Sequence, residues 1–300
     1  MPAISILVAT RNRKESLARL IDTMRELSRV PSWELIVVDN GSTDSTAALL
    51  SAVASSLPIV TIYENQQGKS RALNRALNRA EGEILVFTDD DVVPDPQWLV
   101  ALSRASAAHP NANVFGGKVL LNYDLIPDWV ANSYNLKTIL ASEQDFGTDI
   151  RWFGPNQYPV GPNLAVRKRA LDSGQFNWPV NLGPGTKIPV GDERGFLMQV
   201  SPPRARDRLY VPNSIVRHNS SHTQISVTSA IKRCFLGGYA AGLMGGGRED
   251  SNIDHAQSAA SLAWHRLRAT ASPSEIICVT ARAFGVLAGT IIPFPRVVYG

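Results

Sequence analysis

The chain opens with short, almost unbroken apolar runs separated by segments whose apolar residues recur every three or four positions. Ile4 to Ala9, Glu34 to Asp39, Ile59 to Tyr63 and Glu83 to Thr88 read as strands. Between them, Arg13 to Leu27 carries Leu17, Leu20, Ile21, Met24 and Leu27 at helical spacing. Ser42 to Ala54 (with Ser42 or Thr43 as N-cap), Lys69 to Ala80 and Asp95 to Ala107 complete the helices of this region. Short apolar strands alternating with helices predict parallel βαβ units whose sheet is covered on both faces. Right-handed crossovers then bring every loop that follows a strand to the same edge of the sheet.

From about Val114 the rhythm breaks. Val114 to Leu121 reads as a strand, Asn122 to Tyr158 as irregular, Pro159 to Val166 as extended and Lys168 to Ser173 as a short helix. A Gly/Pro-rich loop, Pro179 to Pro189, leads to a helix starting at Asp192, and Leu209 to Val216 is a further strand. Thr223 to Met244 is helical and stops at Gly245-Gly246-Gly247, after which Arg248 to His255 is a polar linker and the rest is helical. The pattern predicts an α/β fold: a mostly parallel central sheet flanked by helices, an irregular second half and C-terminal helices.

Hydrophobic residues make up 44% of the 300 residues, enough for a sizeable core. Lys and Arg number 30 against 26 Asp and Glu, a net charge of +4. This excess is small for a nucleic-acid binder, and no basic block stands out, so nucleic acid is not an expected partner. It suits a phosphate-bearing substrate or an anionic membrane surface. Cys234 and Cys278 are the only cysteines, which excludes a disulfide framework or structural zinc and fits a reducing compartment. Met1 to Thr10 has no basic n-region or cleavage site and reads as a first strand rather than a signal peptide. Ile276 to Pro295 is the most apolar stretch, but Arg282 interrupts it; it reads as a docking helix or as one lying on a membrane surface. The expected location is the cytoplasm, with peripheral contact at the inner face of the cell membrane.

Polar residues gather where the strands end: Thr10-Arg11-Asn12-Arg13, then Asp39-Asn40-Gly41, then Asp89-Asp90-Asp91. In open parallel sheets ligands bind beyond these carboxyl ends. Three adjacent carboxylates repel one another unless a cation or strong donors compensate, and hard oxygen ligands suit Mg²⁺ or Mn²⁺. The alternative is a solvated acidic turn before the helix near Asp95. Lys69-Ser70-Arg71 opens a helix just after Gly68, a place for a diphosphate or simply a basic first turn. There is no GxGxxG after the first strand and no GxxxxGK[ST], which removes the main support for Rossmann dinucleotide binding and P-loop chemistry.

The runs Ser5 to Arg13, Leu35 to Asp44, Gly68-Lys69-Ser70-Arg71-Ala72-Leu73-Asn74 and Val86 to Asp91 resemble, in order and spacing, the family 2 glycosyltransferases, which have the GT-A fold. The resemblance extends through Gly116-Gly117-Lys118-Val119, Pro127-Asp128-Trp129, Gly161 to Arg167, Gly191-Asp192-Glu193 and Val211 to His218, as in bacterial polysaccharide-type members. It implies a glycosyltransferase domain over residues 1–222, with a nucleotide-binding half (1–115) and an acceptor half (116–222), followed by a helical region, 223–300. It further implies a nucleotide-sugar donor, usually UDP-linked, a Mg²⁺ or Mn²⁺ cofactor, inversion at the anomeric carbon, and a glycan or lipid-linked glycan acceptor.

Carried over by position, Thr10, Arg11 and Arg13 border the nucleotide, Asp39 holds the base, and Lys69 and Arg71 lie near base or diphosphate. Asp89 and Asp91 are the outer residues of a DxD motif that contacts ribose and metal, Asp90 supports the loop, and His218 completes the metal shell; outside the resemblance, His218 is a histidine at a strand end. The family's acidic pair normally ends in Asp, whereas Glu193 stands here, which leaves the general base between Glu193 and Asp192. Downstream there is no Gln-x-x-Arg-Trp motif of the processive members. Trp129, Tyr134, Trp152, Phe153 and Tyr158 are either core or faces for a sugar ring. Arg233, Arg248, Arg266, Arg268, Arg282 and Arg296 suit anionic lipid or are scattered surface charge. Two other functions compete. A nucleotidyltransferase would need a glycine-rich basic loop after the first strand, which Thr10 to Lys14 is not. A catalytically inactive nucleotide-sugar-binding or scaffold protein would not need Asp89, Asp91, Glu193 and His218 intact.

Overall fold

A computed structural model describes residues 2–27, 32–155, 157–172, 174, 176–202, 205–219, 226–245, 273–291 and 297–298. The expected linker 248–255, the glycines after 245, and Arg248, Arg266, Arg268 and Arg296 lie outside the described residues.

The first half follows the expected alternation. Strands β1 (Ile4–Thr10), β2 (Trp33–Asp39), β3 (Ile59–Tyr63) and β4 (Ile84–Asp89) alternate with helices α1 (Lys14–Met24), α2 (Thr46–Val53) and α3 (Lys69–Arg79). β3-β2-β1-β4 are parallel neighbours, with Thr10 level with Asp39 and Ala9 with Asp89. β1, β2 and β4 read as continuous apolar runs because both faces are packed, while β3 at the edge is only partly buried. Ile4, Ile6, Val8, Leu35 and Val37 face α1, α2 and a fourth helix, α4 (Trp98–Ala108). Leu7, Ile36, Val38, Leu85 and Phe87 face α3 and the second half of the chain. The apolar stripe of α1 buries Leu17, Leu20, Ile21 and Met24, each worth roughly 1.5–3 kcal/mol against exposure.

Two helices start later than the sequence suggests. α2 begins at Thr46, not at Ser42: Ser45 is the N-cap residue, and Asp44 just before it holds the turn into the helix, its Oδ1 accepting from the Thr46 N–H at 3.0 Å. Ser42 and Thr43 instead tie loops together, Ser42 N–H donating to Asp39 Oδ1 at 2.8 Å and Thr43 N–H to Asn12 Oδ1 at 2.7 Å. α4 begins at Trp98, after Asp95 has accepted the Gln97 N–H.

The second half is mixed. β5 (Val92–Pro94) leaves directly from the acidic turn after β4, and β6 is Val114–Leu121. The stretch expected to be irregular holds α5 (Asp128–Ala131), α6 (Tyr134–Ala141) and β7 (Arg151–Trp152). β8 (Leu164–Arg167), α7 (Asp192–Val200) and β9 (Arg208–His218) follow. The sheet runs β3-β2-β1-β4-β8-β6-β9-β5, with β7 beside β9. β8 is antiparallel to β4 and β6, while β6 and β9 are parallel. Their ladder breaks between Gly117 and Lys118, opposite Pro212 to Ser214. Proline has no N–H to give a ladder, so a bulge is where it fits. Asn163 bridges the break, donating to Lys118 O at 3.0 Å and Ser214 O at 2.8 Å and accepting Trp98 Nε1–H at 2.9 Å.

Two helices, α8 (Val227–Gly245) and α9 (Pro273–Ile291), pack closely against each other. A Cβ at Gly238, Gly242, Gly285 or Gly289 would strike the backbone of the opposite helix. The pair rests on α5 and α6 through Val130, Leu136, Leu140, Ala230 and Cys234, and on the Gly/Pro loop through Leu182, Ile188, Tyr239 and Ala240. Among the described residues no helix is long and apolar enough to cross a membrane.

Candidate active site

The carboxyl ends of β1 and β4, the start of α3, the end of β9 and the start of α7 meet at one cleft of about 670 Å³. The acidic turn forms its floor. Asp90 points inward, accepting Thr10 Oγ1–H at 2.7 Å and Arg13 Nη1–H at 2.8 Å. Its role is to hold the turn, and burial raises its pKa against the pull of Arg13 and Thr10. Asp91 accepts a second Arg13 contact at 2.8 Å. Burial opposes its charge, yet His218 and Arg13 outweigh burial and keep the carboxyl below the usual carboxylate range.

His218 reaches Asp91 because β5 and β9 pair antiparallel with Val92 level with His218. Its Nε2 stands 3.2 Å from Asp91 Oδ1, and its Nδ1 stands 2.9 Å from Ala141 O. A hydrogen bond of Nδ1–H to that carbonyl would leave Nε2 as the ligand nitrogen. Burial works against the charged imidazole, but Asp91 prevails and raises its pKa. One ligand atom each from Asp89, Asp91 and His218 lies within 4.8 Å of the others. Two carboxylates and an imidazole fit Mn²⁺, or Mg²⁺ with its retained waters.

Lys69 links the two sides of the cleft. The turn before it is shaped by Asn40, which accepts Gly68 N–H at 2.8 Å and donates to Gln66 O at 2.8 Å. The Lys69 Nζ donates to Asp89 Oδ1 at 2.5 Å and stands 4.0 Å from Glu193 Oε1. Burial would lower its pKa, but Asp89, Glu193 and Asp192 together raise it, so it stays charged.

Asp192 and Glu193 open α7, and their environments differ. Asp192 is 2% exposed, beneath Gly183, whose φ of +89° and missing Cβ make room; a Cβ there would stand 2.5 Å from the Asp192 Cγ. Burial, then the Glu193 charge, lifts the Asp192 pKa well above its ordinary value, against Lys69. Glu193 has a side chain 31% exposed and faces the cleft over Gly161, where a Cβ would come within 2.5 Å of Oε1. Thr88 Oγ1–H donates to Pro162 O at 2.7 Å and seats that turn. Asn74 seats the approach to α7, exchanging two hydrogen bonds with the Trp178 backbone at 2.7 and 3.0 Å.

Thr10, Arg13, Lys69, Asp89, Asp90, Asp91, Asp192, Glu193 and His218 therefore come together. Asp39 is buried beside Thr10 at the neighbouring strand end and caps its own loop through Ser42. Arg11 is exposed, and neither it nor Arg71 makes an ion pair with the described residues. The aromatics divide: Phe153 is buried against Phe146 and Tyr210, Trp152 is exposed away from the cleft, and Tyr134 and Tyr158 line it. Sequence reasoning missed Asn163 and Arg194, although each stands in a quoted motif or directly after one. It also missed the glycine spacing, Gly238/Gly242 and Gly285/Gly289, that brings α8 and α9 into contact.

The family model described as glycosyl transferase family 2 matches residues 5–174. The chain is 28% identical over 197 residues to glycosyltransferase AglE of Haloferax volcanii, covering 58% of this chain and 63% of AglE. It thus spans less than two thirds of that relative and smaller shares of other curated ones. Among solved structures, a mannosyltransferase from Pyrobaculum calidifontis in complex with GDP-Man and Mn²⁺ has a TM-score of 0.58 at 20% identity, over 96% of this chain and 71% of that one. S. aureus TarS in complex with UDP-GlcNAc has a TM-score of 0.57 at 14% identity, over 95% of this chain and 90% of that one.

Proposed function

The chain belongs to glycosyl transferase family 2 and has the GT-A fold, and we propose that it moves a sugar from a nucleotide-sugar donor, UDP-linked, to a hydroxyl of a glycan or lipid-linked glycan, inverting the anomeric carbon. One observation carries the reading. A single ammonium, Lys69 Nζ, joins Asp89 at 2.5 Å on the donor side to Glu193 at 4.0 Å on the opposite side of the same cleft.

Asp89, Asp91 and His218 would hold Mn²⁺ or Mg²⁺, which when bound supplies Lewis-acid stabilisation of a leaving diphosphate. Thr10, Arg11, Arg13, Asp39 and Arg71 border the nucleotide. Lys69 adds a fixed positive charge where negative charge develops. Glu193 is the general base. It is open to the cleft and takes the proton of the acceptor hydroxyl as that oxygen attacks the anomeric carbon from the face opposite the leaving group. Asp192 is too deeply buried to meet an acceptor and acts by positioning. The four groups that an inactive scaffold would not need converge on the cleft, and no observation favours that alternative. The deciding experiment is the thermal shift of the protein with UDP, GDP, dTDP and CDP, each with Mn²⁺ and with EDTA. A UDP shift lost in EDTA supports the donor reading, and no shift with any nucleotide overturns it.

We extend the proposal to peripheral membrane contact. Helix α9 leaves Ile276, Ile277 and Phe284 exposed, Phe284 by 63%. An apolar helix face of this kind suits a lipid surface carrying the acceptor.

A further inference from the structure

The cleft has a second wall, whose cations pair with no acid among the described residues. At the acidic turn Lys69 meets Asp89, and Arg13 meets Asp90 and Asp91. The second wall holds Arg194 of α7, Arg233 of α8 and Arg282 of α9, all lining the same cleft. None of the three forms an ion pair with the described residues. Arg194 follows Glu193 directly, so the helical rotation of about 100° per residue turns it away from Lys69 and toward this wall. Its guanidinium lies 6.0 Å over the Tyr158 ring, and its Nε is buried with no hydrogen-bond partner. Arg282 crosses α8 at Gly237, where a Cβ would stand 3.0 Å from Nη1; the missing side chain is its passage to the cleft.

Arg194 and Arg282, both mostly buried, are close enough for their charges to oppose each other, and like charges repel unless an anion joins them. Burial disfavours the charge on Arg194 and on Arg282, and the Arg194 charge adds to the cost at Arg282. A guanidinium is planar and presents paired N–H donors that match the oxygens of phosphate or carboxylate. Lys69 and Arg13 are already committed to the acidic turn, whereas Arg194 follows Glu193 on α7 and pairs with no acid among the described residues. We propose that Arg194, Arg233 and Arg282 form a subsite for an anionic group, a phosphate or a carboxylate, carried by the acceptor next to the hydroxyl that is glycosylated. This rests on the donor and base assignments above and names the acceptor as anionic.

The test uses inorganic phosphate and glucuronate as probes, against sodium chloride at equal ionic strength. Thermal shift is read with and without saturating UDP and Mg²⁺. With UDP bound, one or both probes raise the melting temperature of the wild-type protein, and the responding probe identifies the group. The R194Q/R282Q variant needs at least about tenfold more probe for the same shift, and R282K recovers part of the response. R233Q, at an exposed position, tests the same subsite without touching the buried pair. Three results overturn the proposal: no response to either probe, an equal response in R194Q/R282Q and R233Q, or a response abolished by UDP. The last would assign the arginines to the donor's own diphosphate. A flat UDP response counts against the donor reading alone, because the probe response of wild type and variants without UDP still decides the arginine subsite.

Discussion

His218 Nε2 stands 3.2 Å from Asp91 Oδ1, and the pairing of β9 with β5, level at Val92 and His218, is what holds them there. A histidine from the end of the last strand is thereby built into the acidic turn that begins the second half of the sheet. Loss of Asp91 takes from His218 its acid partner, whereas loss of His218 leaves Asp91 paired with Arg13 alone.

Asp91→Asn and His218→Ala should each weaken Mn²⁺-dependent UDP binding by tenfold or more, about 1.4 kcal/mol. Thermal shift with UDP, in Mn²⁺ and in EDTA, reads this directly. A variant that keeps the full EDTA-sensitive shift removes its residue from the metal set.

Glu193→Gln should keep UDP binding and lose roughly 10²–10⁴ in kcat for sugar transfer, the usual worth of a general base. Gly161→Ala approaches the same carboxylate from outside. Its new Cβ would press on Glu193 Oε1 and Cγ, 2.5 and 3.2 Å away. The side chain can swing aside, so folding should survive, but a displacement of about 1 Å can cost about 10²-fold in rate. Wild-type transfer by Glu193→Gln would sink the base assignment.

Asp192 should make the protein less stable as the pH rises. Its native pKa lies well above the ordinary value of 3.8, so the folded chain keeps a proton that the unfolded chain has released. The favourable contribution is complete below the unfolded value. It declines as pH climbs toward the raised native value and is level above it. Asp192→Asn should flatten that decline and raise the melting temperature at roughly pH 8, measured by thermal unfolding from roughly pH 4 upward. A slope unchanged by the substitution would show that Asp192 is ionised in the native state throughout.

Asn163→Ala should destabilise the fold by about 2 kcal/mol or more. It strips partners from the Trp98 indole N–H and from the Lys118 and Ser214 carbonyls, and each buried group left unpaired costs about 1–3 kcal/mol. Urea unfolding measures it; a loss below about 0.5 kcal/mol would mean that water takes over these bonds.

Phe284→Ser should reduce co-sedimentation with anionic phospholipid vesicles if α9 lies on lipid. Equal recovery of wild type and variant in the pellet, or no wild-type protein there, counts against membrane contact.

The first half of the fold was legible because β1, β2 and β4 are packed on both faces, so burial appears in the sequence as an apolar run. Parallel pairing then follows from the alternation, and with it the clustering of Thr10, Asp39 and Asp89 on one edge. The second half was less legible. β5 has three residues and is held by a strand far along the chain, which no local pattern announces. The two short helices within 122–158 are likewise stabilised by contacts with α8 and α9 rather than by their own periodicity.

The acidic turn, the basic start of α3 and the acidic pair of α7 were each visible as residue types in sequence. Their chemical roles were not separable there, because Asp192 and Glu193 differ in the sequence only by one methylene and one position. Tertiary packing divides them: Gly183 closes over the first, and Gly161 opens a face for the second. The same packing turns Arg194, Arg233 and Arg282, scattered along the chain, into one wall of the cleft. Residue type and alternation determined the strand edge that carries the candidate site, since those depend on local burial. Which carboxylate meets solvent, and which charges meet one another, was decided only by the tertiary structure, since both depend on elements distant in the chain.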